Sequence, residues 1–199
     1  NPINNFDEFY RSFAPEMKGW GFTGYFFNRP RITFMPWWFA AHRYGGFCWY
    51  AAYSAPTYNL LDVPTAALTK NAVDLKDSLK NSKLLEGVGK IFSDFKWRKN
   101  DVAIYYSYDS MLLSSALGKE TKSGEIHSSG PRYDYFYSRQ GAQYLLEELL
   151  WQYEFLASEQ IAGGKLKEYK VLLLPRIIAM SDTEVAALKD FLRAGGKLI

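Results

Sequence analysis

Residues 101–199 predict a doubly wound α/β domain, and three features predict it. Val102-Ala103-Ile104-Tyr105-Tyr106-Ser107-Tyr108 reads as a strand. Tyr169-Lys170-Val171-Leu172-Leu173-Leu174-Pro175 is a continuous apolar run, of the kind buried on both faces in a parallel sheet. Helical patterns separate and follow these runs, so strand and helix alternate along the chain.

The first strand leads into Tyr108-Asp109-Ser110-Met111-Leu112-Leu113, read as a loop, and residues 118–134 are a Gly/Ser/Lys-rich loop. A helix follows, with Ala142, Leu145, Leu146, Leu149 and Tyr153 on one face, and Tyr153-Glu154-Phe155-Leu156 reads as a short strand. Ser181-Asp182-Thr183-Glu184 is a capping box. It opens a helix with Val185, Leu188, Phe191 and Leu192 inward, stopped by Gly195-Gly196. Lys197-Leu198-Ile199 then reads as the opening of a further buried strand, so the domain is expected to be incomplete at its C-terminus and the chain a fragment.

The first half is built differently. The first 60 residues hold 19 aromatic residues, more than the other 139 together. Gly19, Gly21, Gly24, Pro30, Pro36, Gly45 and Gly46 divide them into short pieces. Pro36-Trp37-Trp38-Phe39-Ala40-Ala41 reads as a short helix with Pro in its first turn, and Gly46-Phe47-Cys48-Trp49-Tyr50 as a buried strand. Residues 64–95 read as helical, with Leu68, Ala72, Leu75 and Leu79 on one face and a break at Gly87 and Gly89. Residues 96–101 form a polar boundary, which gives two domains, 1–98 and 101–199.

Composition narrows the function. The 199 residues are 48% hydrophobic and 23% charged, ordinary for a globular chain. No apolar run reaches the roughly 18–20 residues that span a bilayer, so no membrane partner is expected. A net charge of +3 without a Lys/Arg run gives no reason to expect nucleic acid. One cysteine, Cys48, excludes an internal disulfide framework and a Cys-based zinc site; on its apolar strand it reads as a buried thiol. Two histidines, His42 and His127, do not make a His-rich metal centre. The loops after the two strands of the α/β half carry no glycine to cradle a phosphate, and no Gly-flanked Cys or Ser elbow is present. No cofactor and no metal are expected.

Clustered Trp and Tyr with few charges suits sugar binding, because the apolar face of a pyranose stacks on an indole; core packing explains clustered aromatics too. Trp49, at the end of a strand, and Trp20, in a Gly-rich loop, are the substrate-binding candidates. Glycoside hydrolysis needs two carboxyl groups about the scissile bond. Asp7, Glu8 and Glu16 are the only acids in the first 60 residues. Asp7 and Glu8 read as surface acids, whereas Glu16, in an aromatic setting, is the candidate catalytic nucleophile; a surface glutamate is the alternative.

Asp101 through Ser110, Leu166 through Pro175 and Leu188 through Ile199 together resemble the middle domain of glycoside hydrolase family 42 β-galactosidases. The resemblance implies a trimerisation domain over 101–199 with a flavodoxin-like fold similar to class I glutamine amidotransferases, without their catalytic residues. It also implies that 1–98 is the C-terminal part of a (β/α)8 barrel. Residues 36–50 resemble its last helix–strand step. The implied chemistry is retaining hydrolysis of terminal β-linked sugars by two glutamates. The acid/base would follow strand four, upstream of Asn1, and the nucleophile would follow strand seven, where Glu16 is the acid at a suitable distance. Trp49 would end strand eight and line the sugar subsite. β-Galactoside is the default substrate, with other β-glycosides or an α-L-arabinoside as alternatives. A homo-oligomer, a trimer, is implied. The chain alone is expected to be inactive. The competing reading is a non-catalytic carbohydrate-binding or assembly protein, which a surface Glu16 pointing away from Trp49 favours.

Overall fold

A computed structural model describes residues 6–17, 19–24, 28–42, 44–53, 59–82, 86, 88–95, 98–117 and 131–199. In chain order its elements are α1 (Phe6–Phe13), β1 (Trp20–Gly24), α2 (Arg29–Ala41), β2 (Gly46–Tyr50), β3 (Leu61–Asp62), β4 (Ala67–Leu68), α3 (Lys70–Ser82) and α4 (Val88–Asp94). These are followed by β5 (Val102–Tyr106), α5 (Tyr108–Leu117), α6 (Pro131–Glu148), β6 (Glu154–Ala157), α7 (Ser158–Ala162), a 3-10 turn (Lys165–Glu168), β7 (Val171–Leu173), α8 (Asp182–Arg193) and β8 (Lys197–Leu198).

The chain is mixed α/β with parallel sheets, and it divides into two compact units. One combines Asn1–Ala14 with Arg98–Ile199; the other is Pro15–Trp97. Helix α1, read from sequence as part of the 1–98 half, packs instead on β6 in the first of these units.

That unit is a four-stranded sheet in the order β6-β5-β7-β8, every pair parallel. In sequence terms the order is second, first, third, fourth, the doubly wound arrangement with its switch point between β5 and β7. Strand β5 is buried on both faces because its alternate residues feed two cores. Ala103 and Tyr105 join Leu156, Ile161, Leu172, Leu188 and Phe191. Val102 and Ile104 join Leu146, Tyr153, Phe155 and Leu173, with Phe9 of α1 packed alongside. The capping box of α8 forms as the sequence predicts: Ser181 Oγ accepts from the Glu184 N–H, and Glu184 accepts from the Ser181 N–H. Gly195 has φ +92°, which frees the chain to turn into β8.

Several local readings change. Tyr108–Leu117 is helix rather than loop, because Ser107 caps it: the Ser110 N–H reaches Ser107 Oγ at 3.1 Å. Residues 118–130 of the expected loop lie outside the described residues, and 131–134 belong to α6. Leu145 of α6 and Leu149, just past its end, are exposed, and the buried stripe of α6 runs through Tyr135, Arg139, Gln143 and Leu146. On α8, Leu192 is exposed and the carboxylate of Glu184 is buried.

In the other unit, α2 starts seven residues earlier than expected. Asn28 Oδ1 accepts from the Arg31 N–H at 3.0 Å, Pro30 sits in the first turn, and Pro36 is carried inside the helix. Residues 64–69 are not helical: β3 and β4 form an antiparallel pair, and α3 begins after Thr69, whose hydroxyl accepts from the Ala72 N–H. Leu68 and Leu79 face out. Ala72, Leu75, Ser78 and Ser82 are buried, and buried Asp74 pairs with Arg29 at 3.2 Å. Gly89 lies within α4 and breaks nothing, while Gly87 lies outside the described residues.

Candidate functional site

Strands β1 and β2 run parallel, with Trp20 opposite Gly46 and Gly24 opposite Tyr50. A parallel pair needs a crossover, and α2 supplies it. Two glycines make the close packing possible. A Cβ on Gly21 would lie 2.1 Å from Phe39 Cε1 of α2, and one on Gly24, at φ +134°, would lie 1.6 Å from the carbonyl oxygen of Tyr50. Phe39 also stacks on Phe47, with ring centroids 5.2 Å apart. Helix α2 therefore covers the face carrying Gly21, Thr23, Phe47 and Trp49, since alternate residues share a face.

The other face carries Trp20, Phe22, Cys48 and Tyr50. Trp20 and Phe22 are 68% and 66% exposed, Tyr50 is 41% exposed, and Cys48 is exposed too, not buried as its apolar strand implies. The Phe22 and Tyr50 rings are 5.8 Å apart, and the Trp20 indole lies over Gly46. This is an open aromatic surface along two parallel strands, with Trp20 at the N-terminal end of β1 and Tyr50 at the C-terminal end of β2.

The three residues picked out by sequence do not converge. Trp20 belongs to β1 rather than a loop, on the uncovered face; Trp49 is half-buried on the helix-covered face. Glu16 is exposed in the turn ahead of β1, whereas Trp49 pairs with Thr23 toward the opposite end. At about 3.3 Å per residue, the length of β1 separates them. Glu16 therefore lies ahead of the N-terminal end of β1, and Trp49 near the C-terminal end of β2. Phe22 and Tyr50 were missed. The signal that could have found them is parity: Gly21, squeezed between bulky neighbours, marks the helix side, and the residues one step away face outward.

The carboxyl ends of β5 and β7 form a second polar cluster, which also escaped the sequence reading. Ser110 Oγ accepts from the N–H groups of Ile178 and Ala179 at 3.0 and 3.1 Å, and Ser107 Oγ donates to Ser110 Oγ at 2.9 Å. Tyr135 Oη accepts the Ser107 N–H at 2.8 Å, and burial pushes this phenol up to about 12. These bonds tie the segment after β7 into the switch-point crevice. Deeper in, Tyr105 donates to Glu184. Burial, then the carboxylate itself, raises the phenol to about 12. Burial alone would raise the Glu184 carboxyl; hydrogen bonds from Tyr105, Ser181 and Ser158 outweigh it and hold the group below its ordinary value. Among the described residues no three His, Cys, Asp or Glu side chains are grouped to hold a metal, and no helix is long and apolar enough to cross a membrane.

No family model and no curated protein matches the chain. Among solved structures it is similar to a β-galactosidase from Bifidobacterium adolescentis, at 16% identity and a TM-score of 0.39, over 51% of this chain and 39% of that one. It is also similar to an exo-β-1,4-mannosidase from Opitutaceae bacterium strain TAV5, at 11% identity and a TM-score of 0.48, over 89% of this chain and 32% of that one. The chain thus spans 39% and 32% of the length of these two proteins.

Proposed function

We propose that the chain is part of a glycoside hydrolase-like protein, and that the uncovered face of β1 and β2 belongs to its carbohydrate subsite. The observation that carries this reading is the β1–α2–β2 unit, one step of a (β/α)8 barrel, with Trp20, Phe22 and Tyr50 in the open. Aromatic rings along an open strand face, with Tyr50 at the carboxyl end of β2, suit the apolar faces of a pyranose. The finer reading is retaining cleavage of a terminal β-galactoside by double displacement, with the 101–199 domain assembling a trimer. The phrases shared with family 42 β-galactosidases support it, and so does the sheet order β6-β5-β7-β8.

Glu16 enters this proposal differently from the expectation. Its exposed place ahead of β1 favours a surface role, and Tyr25-Phe26-Phe27-Asn28, which follow β1, include no carboxylate. That observation favours the second reading, a carbohydrate-binding or assembly protein without the catalytic pair. Assay of p-nitrophenyl β-galactoside hydrolysis by the longest natural form of the protein separates the two. Hydrolysis that survives Glu16→Gln within about twofold supports an enzyme whose nucleophile lies elsewhere. A loss of about a thousandfold or more would make Glu16 the nucleophile after all. No hydrolysis, with galactose binding that Tyr50→Ala abolishes, supports the binding reading. Neither hydrolysis nor binding would remove the carbohydrate proposal altogether. Sedimentation of the same protein tests the trimer.

A further inference from the structure

The unit built on β5 holds a cavity of about 450 Å³. Phe9 and Phe13 of α1, Tyr106 at the end of β5, Met111 of α5, and Phe136 and Arg139 of α6 line it. Its size falls in the small-molecule range of about 300–1,000 Å³. Tyr135 completes the lining; the wall is mostly aromatic, and Arg139 is its one charged side chain.

Arg139 is 8% exposed, and its Nε is buried without a hydrogen-bond partner. Among the described residues no carboxylate forms an ion pair with it. Its guanidinium carbon lies 4.9 Å from the ring centre of Phe9, 5.4 Å from Tyr106 and 5.3 Å from Phe136. Ring faces attract the positive charge, and the Tyr106 hydroxyl hydrogen-bonds the guanidinium, but Nε still has no partner. A buried cation with an idle donor is costly to keep. It is costly enough here that burial lowers the pKa of the group. The neighbouring phenol Tyr135 is engaged by the Ser107 N–H.

We propose that this cavity binds a small organic monocarboxylate with an aromatic or branched apolar body. Its carboxylate is taken by the fork of Arg139 and its body lies against Phe13 and Phe136, both partly open to solvent. A carboxylate matches a single guanidinium in charge and geometry. Inorganic phosphate, heavily hydrated and without an apolar body, gains nothing from these walls. The site lies in a different unit from the proposed carbohydrate surface, so the two ideas fail independently.

The test is calorimetric titration of the full chain with phenylacetate, phenylacetamide and inorganic phosphate. Saturable phenylacetate binding is expected, with the amide about tenfold weaker or worse and phosphate weaker still. Arg139→Met, which keeps the length and apolar stem, is expected to erase the preference for the acid over the amide. Phe136→Ala, at a 43% exposed position, is expected to weaken acid and amide alike by severalfold. No saturable phenylacetate binding to the folded chain overturns the proposal, as does equal affinity for acid and amide. Phosphate binding as tight as phenylacetate removes the apolar body from it. Should Arg139→Met fail to fold, the acid-to-amide ratio of the native chain and the Phe136→Ala result still decide.

Discussion

Tyr105, on the central strand of its sheet, donates its hydroxyl to the carboxylate of Glu184 in the first turn of α8, and both groups are sealed from water at 1% and 2% exposure. Glu184 serves two purposes at once: it caps its own helix through Ser181 and anchors that helix to β5. Tyr105→Phe leaves a buried carboxylate short of one donor. A loss of about 1–3 kcal/mol in unfolding free energy is expected, read by urea denaturation at neutral pH. A midpoint unchanged from the native chain would show that the bond contributes nothing net.

The same pair shapes the pH dependence. The Glu184 carboxyl is held below its ordinary 4.5 in the folded chain, so its contribution is present above that value and is lost as pH falls through the lower, folded one. Tyr105 and Tyr135 are raised from 10.0 to about 12, so their contribution is intact below pH 10 and disappears between there and about 12. A stability profile measured by denaturant midpoints should therefore be flat on its alkaline side up to about pH 10 and then fall. In the Tyr105→Phe, Tyr135→Phe double variant, starting from a lower plateau, the alkaline fall should be shallower; an unaltered slope would refute the assignment.

Ser12 ties α1 to the sheet. It is buried, its hydroxyl donates to the Glu8 carbonyl, and it accepts the Phe155 N–H at 2.8 Å. Ser12→Ala strips an acceptor from a buried amide of β6, at a cost of about 1–3 kcal/mol. Amide hydrogen exchange at Phe155 should accelerate while exchange at Ala103, inside the sheet, follows only the global change. Equal acceleration at both would mean that Ser12 has no local role.

Two glycines are predicted to resist any side chain. A Cβ on Gly196 would lie 2.4 Å from Phe191 Cζ, and one on Gly21 would lie 2.1 Å from Phe39 Cε1. Either alanine must push a buried ring out of its seat, so each variant is expected to lose about 1–3 kcal/mol. Pairing Gly21→Ala with Phe39→Leu should recover part of the loss in thermal unfolding. If the pair is simply additive, the ring is not the obstacle.

Much of the β5 unit is legible in sequence because its signals are local. The Val171–Leu173 run, the Ser181 capping box and the turn at Gly195 each name their own conformation. Burial of the helix faces is less legible. Leu145 and Leu192 look inward by composition, but the inward positions belong to Gln143 and Glu184, whose polar groups meet Tyr153 and Tyr105. Such pairings reach beyond the helix that carries them, by 10 and 79 residues here, and leave no mark in either partner's neighbourhood. The aromatic half is harder still. Whether Trp49 or Tyr50 faces the open depends on a single step of strand phase, which a five-residue strand rich in rings on both sides does not announce.

Helix α1 lies against a strand that begins some 140 residues later, and the whole Pro15–Trp97 unit is threaded between the two. During synthesis the intervening unit emerges first and can condense on its own contacts. Throughout that interval Phe9 and Phe13 have no seat, because Tyr106 and Phe155 do not yet exist. Closing so long a loop is a late and entropically unfavourable event. Until it happens the rim of β6 stands bare, an adhesive border for any neighbouring nascent chain.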